Sequence, residues 1–207
     1  MKKFTVAACL LLLGTSIIAG EIALPKPNLK SGKPFMQCVA ERRTERKFST
    51  KPLSQQTIAE ILFVADGVTR KDGRKTVPTA RNKQNQKVYA AMQNGVWLYQ
   101  AQSHSLKLVL KGDHRAAFGK QPFHKKAPVV LLYVSDLPAV GKNLTEQMLY
   151  SGNHSGHAAQ NVYLYAASKG LSTVICGMLD RVALKKLMKL NKNQAVIFSQ
   201  PVGYPAK

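Results

Sequence analysis

From His157 to Lys169 the only polar side chains are His157, Gln160, Asn161, Ser168 and Lys169. A helix over this stretch is apolar nearly all round and belongs in an interior. Its residues 157, 161, 164 and 168 share one face, giving a narrow polar stripe interrupted by Leu164. Gly170 supplies a helix stop, and Ser172 to Leu179 changes to the short apolar, β-branched pattern of a buried strand. Gly177 inside that strand lets another group approach the backbone closely. Upstream, Asn143 to Tyr150 begins helical and leads through Gly152 and Gly156 into the central helix.

The remaining pattern alternates helices with β-type runs. Leu24 to Pro34 carries three prolines and a glycine and reads as an extended lead-in. Phe35 to Glu45 follows as a helix with Phe35, Met36, Val39 and Ala40 at helical spacing, and Gln55 to Asp66 as a second, capped by Ser54, with Ile58, Ile61, Leu62 and Ala65 inward. Thr76 to Gln86 is polar, rich in amides and without regular pattern, the composition of a binding loop or of an ordinary surface loop. Lys87 to Met92 and Val96 to Gln102 flank Asn94-Gly95, a hairpin signal, and Leu106 to Leu110 extends the pair into a meander with Trp97, Tyr99 and Leu106 on one face. Ala127 to Ser135 is continuously apolar, as in a strand buried on both faces. Ala183 to Leu190 is a basic amphipathic helix and Gln194 to Gln200 the last strand.

Length allows one sizeable core, so a single domain over 35–207 is expected. Before it, Lys2 and Lys3 precede an apolar run from Phe4 to Leu13 with small residues Ala19 and Gly20 beyond, the layout of a secretory signal peptide over 1–20 cleaved after Ala19 or Gly20. The run is shorter than the roughly 20 residues that span a bilayer. The mature chain is therefore expected to be exported, periplasmic or secreted, without a transmembrane segment. The lipobox-like Val6-Ala7-Ala8-Cys9 has too short an apolar stretch before Cys9 to compete with that reading. Cleavage leaves Cys38 and Cys176, as a disulfide or as two separate buried thiols. The formal charge of +21 draws the chain toward polyanions, yet its lysines are dispersed and no nucleic-acid motif accompanies them, so no specific nucleic-acid partner is expected.

Walker, G-x-G-x-x-G, G-x-S-x-G and H-E-x-x-H motifs are missing from the sequence, which removes the usual marks of nucleotide hydrolysis, Rossmann binding, serine hydrolysis and zincin chemistry. His154 and His157 have helical ligand spacing but no carboxylate or cysteine beside them, so no metal is expected. The acidic residues show no pairing suited to acid–base catalysis. What remains is chemistry carried by a bound cofactor. Arg42, Arg43 and Arg46 around Thr44 offer planar cations and a hydroxyl suited to a phosphate or the polar edge of a flavin-like ring.

Arg42-Arg43-Thr44-Glu45-Arg46-Lys47-Phe48 with Pro52-Leu53-Ser54 resembles the R-R-S-x-R-x-F opening of the FMN-dependent nitroreductase family. The resemblance continues in order through Pro78-Thr79-Ala80-Arg81-Asn82-Lys83-Gln84, Gln160-Asn161, Gly170-Leu171 and Pro201-Val202-Gly203-Tyr204-Pro205. The hairpin further resembles the branch containing thiazole- and oxazole-forming dehydrogenases and secreted nitroreductase-like proteins. The resemblance implies an α+β fold, a mixed sheet flanked by helices around a long central helix, in a domain-sharing homodimer with FMN at the interface. It implies that Arg42, Arg43, Thr44 and Arg46 hold the FMN phosphate and ring edge. Pro78, Thr79, Ala80 and Asn82 would reach the partner's flavin, and Val174, Ile175, Cys176 and Gly177 would lie along the isoalloxazine, with Gly177 N–H near N5. No protein side chain is implied as catalytic.

The implied reaction is ping-pong: a reduced donor, NAD(P)H among the candidates, gives electrons to the flavin and a small electrophilic, quinone or nitro-type acceptor removes them. The chain departs from the pattern at Thr79, which keeps the usual hydroxyl, and at Asn85, which follows Gln84 where the family often has the Pro-Trp of its acceptor-pocket wall. It departs again at Cys176 and at its end, where Lys207 stands in place of a longer arm. A flavin-binding member without turnover and a basic binder of anionic polymers remain open as alternatives.

Overall fold

The computed structural model describes residues 20–206. Seven strands form one sheet in the order β1-β4-β3-β2-β5-β7-β6. They are β1 (Glu21–Ala23), β2 (Gln86–Met92), β3 (Gly95–Gln100), β4 (Ser105–Lys111), β5 (Val129–Asp136), β6 (Ser172–Thr173) and β7 (Gln194–Gly203). Helices α1 (Phe35–Glu41), α2 (Gln55–Asp66), α3 (Phe123–Lys126), α4 (Leu144–Lys169) and α5 (Arg181–Leu187) complete the fold with short 3-10 turns. Among the described residues no helix is long and apolar enough to cross a membrane.

The continuous apolar run becomes β5, and its alternation serves two cores. Val129, Leu131 and Tyr133 join Ile61 and Leu62 of α2 and Ala158, Ala159 and Val162 of α4 on one face. Val130, Leu132 and Val134 join Phe118, Leu184 and Met188 on the other. A strand covered on both sides cannot alternate with polar residues, which is why β5 is apolar throughout. Trp97, Tyr99 and Leu106 share the first core, as their spacing predicts.

The expected mixed sheet is corrected in one respect, because every adjacent pair is antiparallel. β5 and β6 run in the same sense, but β7 lies between them and pairs with both. β1 was not anticipated in the lead-in; it pairs with β4, and the Leu108 N–H donates to the Gly20 carbonyl at 2.7 Å.

Local chemistry sets the helix ends. Ser54 caps α2 by accepting from the Thr57 N–H, Asn143 caps α4 through the Glu146 N–H, and Gly170 ends α4 in the left-handed conformation at φ 65°. α4 is one continuous helix of 26 residues, with Gly152 and Gly156 in its interior. It is not buried all round: Ser151, His154, Ser155, Ala158, Ala159, Val162, Tyr163 and Ala166 face inward, while His157 and Gln160 are exposed.

The expected strand over 172–179 shrinks to β6 and one bridge from Cys176 to Ser199. The Phe35 to Glu45 helix stops at Glu41, because Arg42 takes ψ 122° and the Glu45 N–H donates to the Thr173 carbonyl at 3.0 Å. Its apolar spacing does not face a core, since Phe35 and Met36 are exposed. Replacing Leu131, fully buried in β5, with Ala should cost about 2–5 kcal/mol by urea denaturation. Phe35→Ala, at an exposed position, should shift the same curve by no more than about 0.5 kcal/mol.

Candidate active site

Beyond α1 the chain runs extended past the C-terminal half of α4, where Tyr163 gathers two segments. The Ile175 N–H donates to the Tyr163 hydroxyl oxygen at 3.0 Å. Thr44 Oγ1 lies 3.1 Å from that same oxygen, and the Arg42 guanidinium sits 5.3 Å from the ring centre. The Ser49 N–H donates to the Tyr204 carbonyl at 2.9 Å, and Phe48 bridges to Pro205. Residues 42–48, 173–177 and 204–206 are thus held together. A cavity of about 400 Å³ opens beside them, lined by Arg42, Arg43, Glu45, Gly170 and Ser172 among others but not by Thr44, Arg46 or Val174 to Gly177. That size lies within the roughly 300–1,000 Å³ of small-molecule sites.

The arginines differ. Arg43 pairs with Glu45 at 2.7 Å while its side chain stays 79% exposed, so little of its charge is withdrawn from solvent. Arg42 lies over the tyrosine ring without a salt bridge among the described residues. Arg46 is close enough to Cys176 to act on its thiol. Burial pushes that thiol up to about 11 and Arg46 partly opposes the rise, so Cys176 is protonated at neutral pH and packs rather than reacts. Cys38 and Cys176 are both free and buried.

Val174 and Cys176 are buried, Ile175 is partly covered, and Gly177 is exposed. A Cβ built on Gly177 meets only the Phe198 ring, at 3.7 Å, an ordinary contact. The protein's own packing therefore leaves room for a side chain there.

The loop carrying Pro78, Thr79, Ala80 and Asn82 docks elsewhere on α4. The Ala80 N–H donates to His154 Nε2 at 2.8 Å, which places the ring proton on Nδ1, and Nδ1 donates to Asn85 Oδ1 at 2.8 Å. Asn85 Nδ2 continues to Ser135 Oγ at 2.5 Å, and Ser135 Oγ lies 2.6 Å from Ser151 Oγ. Asn85 is 4% exposed, so it braces the interior and is not a pocket wall.

His154 has both ring nitrogens engaged, a positioning role that its spacing with His157 did not reveal. Arg81, Asn82 and Gln84 hold positive φ of 50°, 53° and 45°, a left-handed conformation that is uncommon for residues other than glycine. Thr79 supports the turn, its hydroxyl accepting from the Gln84 N–H at 2.9 Å.

Nine residues of α4 separate His154 from Tyr163, about 13 Å of helix axis. Within one chain the 78–82 loop and the Arg42–Arg46 segment are therefore anchored at different points of one rod. The arginines, Thr44 and Val174 to Gly177 come together; Pro78, Thr79, Ala80 and Asn82 do not join them. Lys207 and residues 1–19, with the signal-peptide and Cys9 readings, lie outside the described residues.

A family model described as "Nitroreductase family" matches residues 39–204. The chain belongs to the nitroreductase family. Its relatives agree: a protein named as a nitroreductase in Methanocaldococcus jannaschii is 31% identical over 174 residues, covering 79% of this chain and 87% of that one. The crystal structure of a nitroreductase-named protein of Ralstonia eutropha superposes with a TM-score of 0.85 at 33% identity, over 90% of each chain. A structure from Desulfovibrio desulfuricans, solved in complex with FMN, shares the fold at 19% identity, with a TM-score of 0.62 over 86% of this chain and 89% of that one. Members of the nitroreductase family are FMN-dependent oxidoreductases, and this chain is an enzyme of that class.

In this nitroreductase, burial and the neighbouring His157 lower the affinity of His154 for a proton below its ordinary value near 6.5. The folded state then holds fewer protons than the unfolded one as pH falls through 6.5, so stability contributed by neutral His154 is complete above that value and is lost below it. Asp66, raised to about 6 by burial against the pull of Lys75, acts in the opposite sense, its carboxylate form costing stability above that pH. Comparison with a variant separates the two: the urea midpoint of His154→Gln should fall less between pH 7.5 and 5 than that of the native chain. A parallel fall in both would remove His154 as the source.

Proposed function

We propose that this nitroreductase is exported and passes electrons from a reduced donor, NAD(P)H or its equivalent, to a small electrophilic, quinone or nitro-type acceptor. FMN would sit in a homodimer interface, and the protein would fall in the branch that resembles thiazole- and oxazole-forming dehydrogenases. When bound, FMN supplies reversible hydride exchange at N5, so donor and acceptor react in turn at one pocket. Arg42, Arg43 and Arg46 hold the phosphate and the electron-rich edge of the ring, with Thr44 fixed by Tyr163. Val174 to Gly177 would support the ring, with Gly177 N–H available to it. Pro78, Thr79, Ala80 and Asn82 serve the flavin of the second subunit, which agrees with their anchorage on α4 about 13 Å from Tyr163. Lys207 is assigned to the phosphate.

The observation that carries this reading is Gly177 itself. It is exposed, and a side chain there would meet only an ordinary contact with Phe198, so the chain's own packing does not demand glycine. A planar ring lying against the backbone does. Export is supported by the leader pattern.

The mature chain should purify yellow, with a flavin spectrum that bleaches anaerobically on addition of NADH or NADPH. Gly177→Leu should weaken FMN binding by more than about tenfold while leaving the urea midpoint of the flavin-free protein unchanged. Equal losses in both would make Gly177 a packing residue. A colourless chain that takes up no FMN would overturn the reading, and a yellow chain that no donor bleaches would identify a binder without turnover.

A further inference from the structure

A second cavity, of about 630 Å³, lies between α5, the first turns of α4 and the beginning of β7, away from the arginine segment. Its apolar lining includes Leu144, Met148, Val182 and Val196. Leu144 is 66% exposed and Val182 82% exposed, and grouped exposure of this kind marks a binding surface more than scattered single residues do.

The rim is cationic. Arg181, Lys185, Lys186 and Lys189 all border the cavity, and none makes a salt bridge among the described residues. Arg181 donates to the Val196 and Ile197 carbonyls at 3.1 and 2.9 Å, and Lys185 to the Lys192 carbonyl at 3.2 Å, contacts that leave their charge uncompensated. The adjacent Asp180 is committed to capping α5 through the Ala183 N–H at 2.9 Å.

An apolar floor under uncompensated cations selects a ligand with an apolar body and one anionic end. We propose that this cavity binds a single-tailed anionic amphiphile, a long-chain carboxylate, with its tail along Leu144, Met148 and Val182 and its head at Lys186 and Lys189. Concavity favours a single tail over a bilayer, whose flat surface cannot reach the floor. Charge argues against this patch lying on a two-fold axis, where the same cations would be set against each other.

Calorimetric titration of the full mature chain as purified, with dodecanoate below its micelle concentration, tests this. Dodecanoate should bind once per chain and more weakly at high salt, while acetate, lacking the tail, and dodecanol, lacking the charge, should bind at least about tenfold more weakly. The double variant Lys186→Glu, Lys189→Glu should lose affinity on the order of thirtyfold. Val182→Asp should also weaken binding, and both should keep the native circular dichroism and flavin content. The Met148 methyl resonance should shift on titration in the native chain. Equal affinity for dodecanol, indifference to the charge reversals, binding only to anionic vesicles, or a self-association that shifts the same methyl without ligand would each overturn the proposal.

Discussion

Helix α4 is the ruler on which the rest is measured. Its C-terminal half carries Tyr163, whose single hydroxyl is shared by Ile175 N–H and Thr44 Oγ1. Its N-terminal half carries His154, which accepts from Ala80. A helix holds such distances rigidly because each turn is hydrogen-bonded to the next, so two loops far apart in sequence are set about 13 Å apart. The helix is itself pinned to the sheet by Ala158, Ala159 and Val162, and by Gln200, which donates to the Ala159 carbonyl at 3.2 Å while accepting from the Tyr133 hydroxyl. A buried polar chain with every member paired adds direction to a contact that apolar packing alone would leave free to slide.

Most of this scaffold was legible because its signals are local. The β5 run, Asn94-Gly95, the cap at Ser54 and the stop at Gly170 each express a conflict that only one conformation resolves. Failures came where tertiary partners decide. Phe35 to Glu45 has helical spacing throughout, yet a strand-like hydrogen bond from Glu45 to Thr173 ends the helix at Glu41, and no local pattern encodes that partner. Ser172 to Leu179 has strand composition, but Tyr163 takes the Ile175 N–H that a ladder would need. The direction of β7, which turns an expected mixed sheet into an antiparallel one, depends on chain path and not on any residue's preference.

The site was legible in a different way. The arginine cluster and Gly177 stood out by residue type and by ordered motifs, whereas the bracing role of His154 and Asn85 did not. A histidine on a helix and an asparagine in a polar loop are ordinary by composition. Their function emerges only when the relay from Ala80 through His154 and Asn85 to Ser135 is seen in three dimensions. Positive φ at Arg81, Asn82 and Gln84 is likewise invisible in sequence, since none of the three is glycine. Backbone held in this conformation costs on the order of 1–3 kcal/mol per residue and persists where the surroundings over-determine it. The buried relay supplies that determination.

The glycines separate fold from function more sharply than the motifs do. A Cβ on Gly203 would lie 2.4 Å from the Pro128 ring, and one on Gly67 would lie 2.3 Å from the Phe63 side chain and 2.6 Å from its carbonyl. Both are explained by the chain's own packing. Gly170 is explained by its left-handed conformation at the end of α4. Gly177 has neither cause, because its neighbours leave ordinary clearance and its φ lies outside the left-handed region. It also lies one residue beyond Cys176, whose N–H and carbonyl are both paired with Ser199, at 2.8 and 3.0 Å. The ladder therefore holds the backbone still up to the point where it is left open. The open space at Gly177, one residue beyond the Cys176 thiol on which Arg46 acts, is therefore a property that the chain's own packing and backbone conformation do not require.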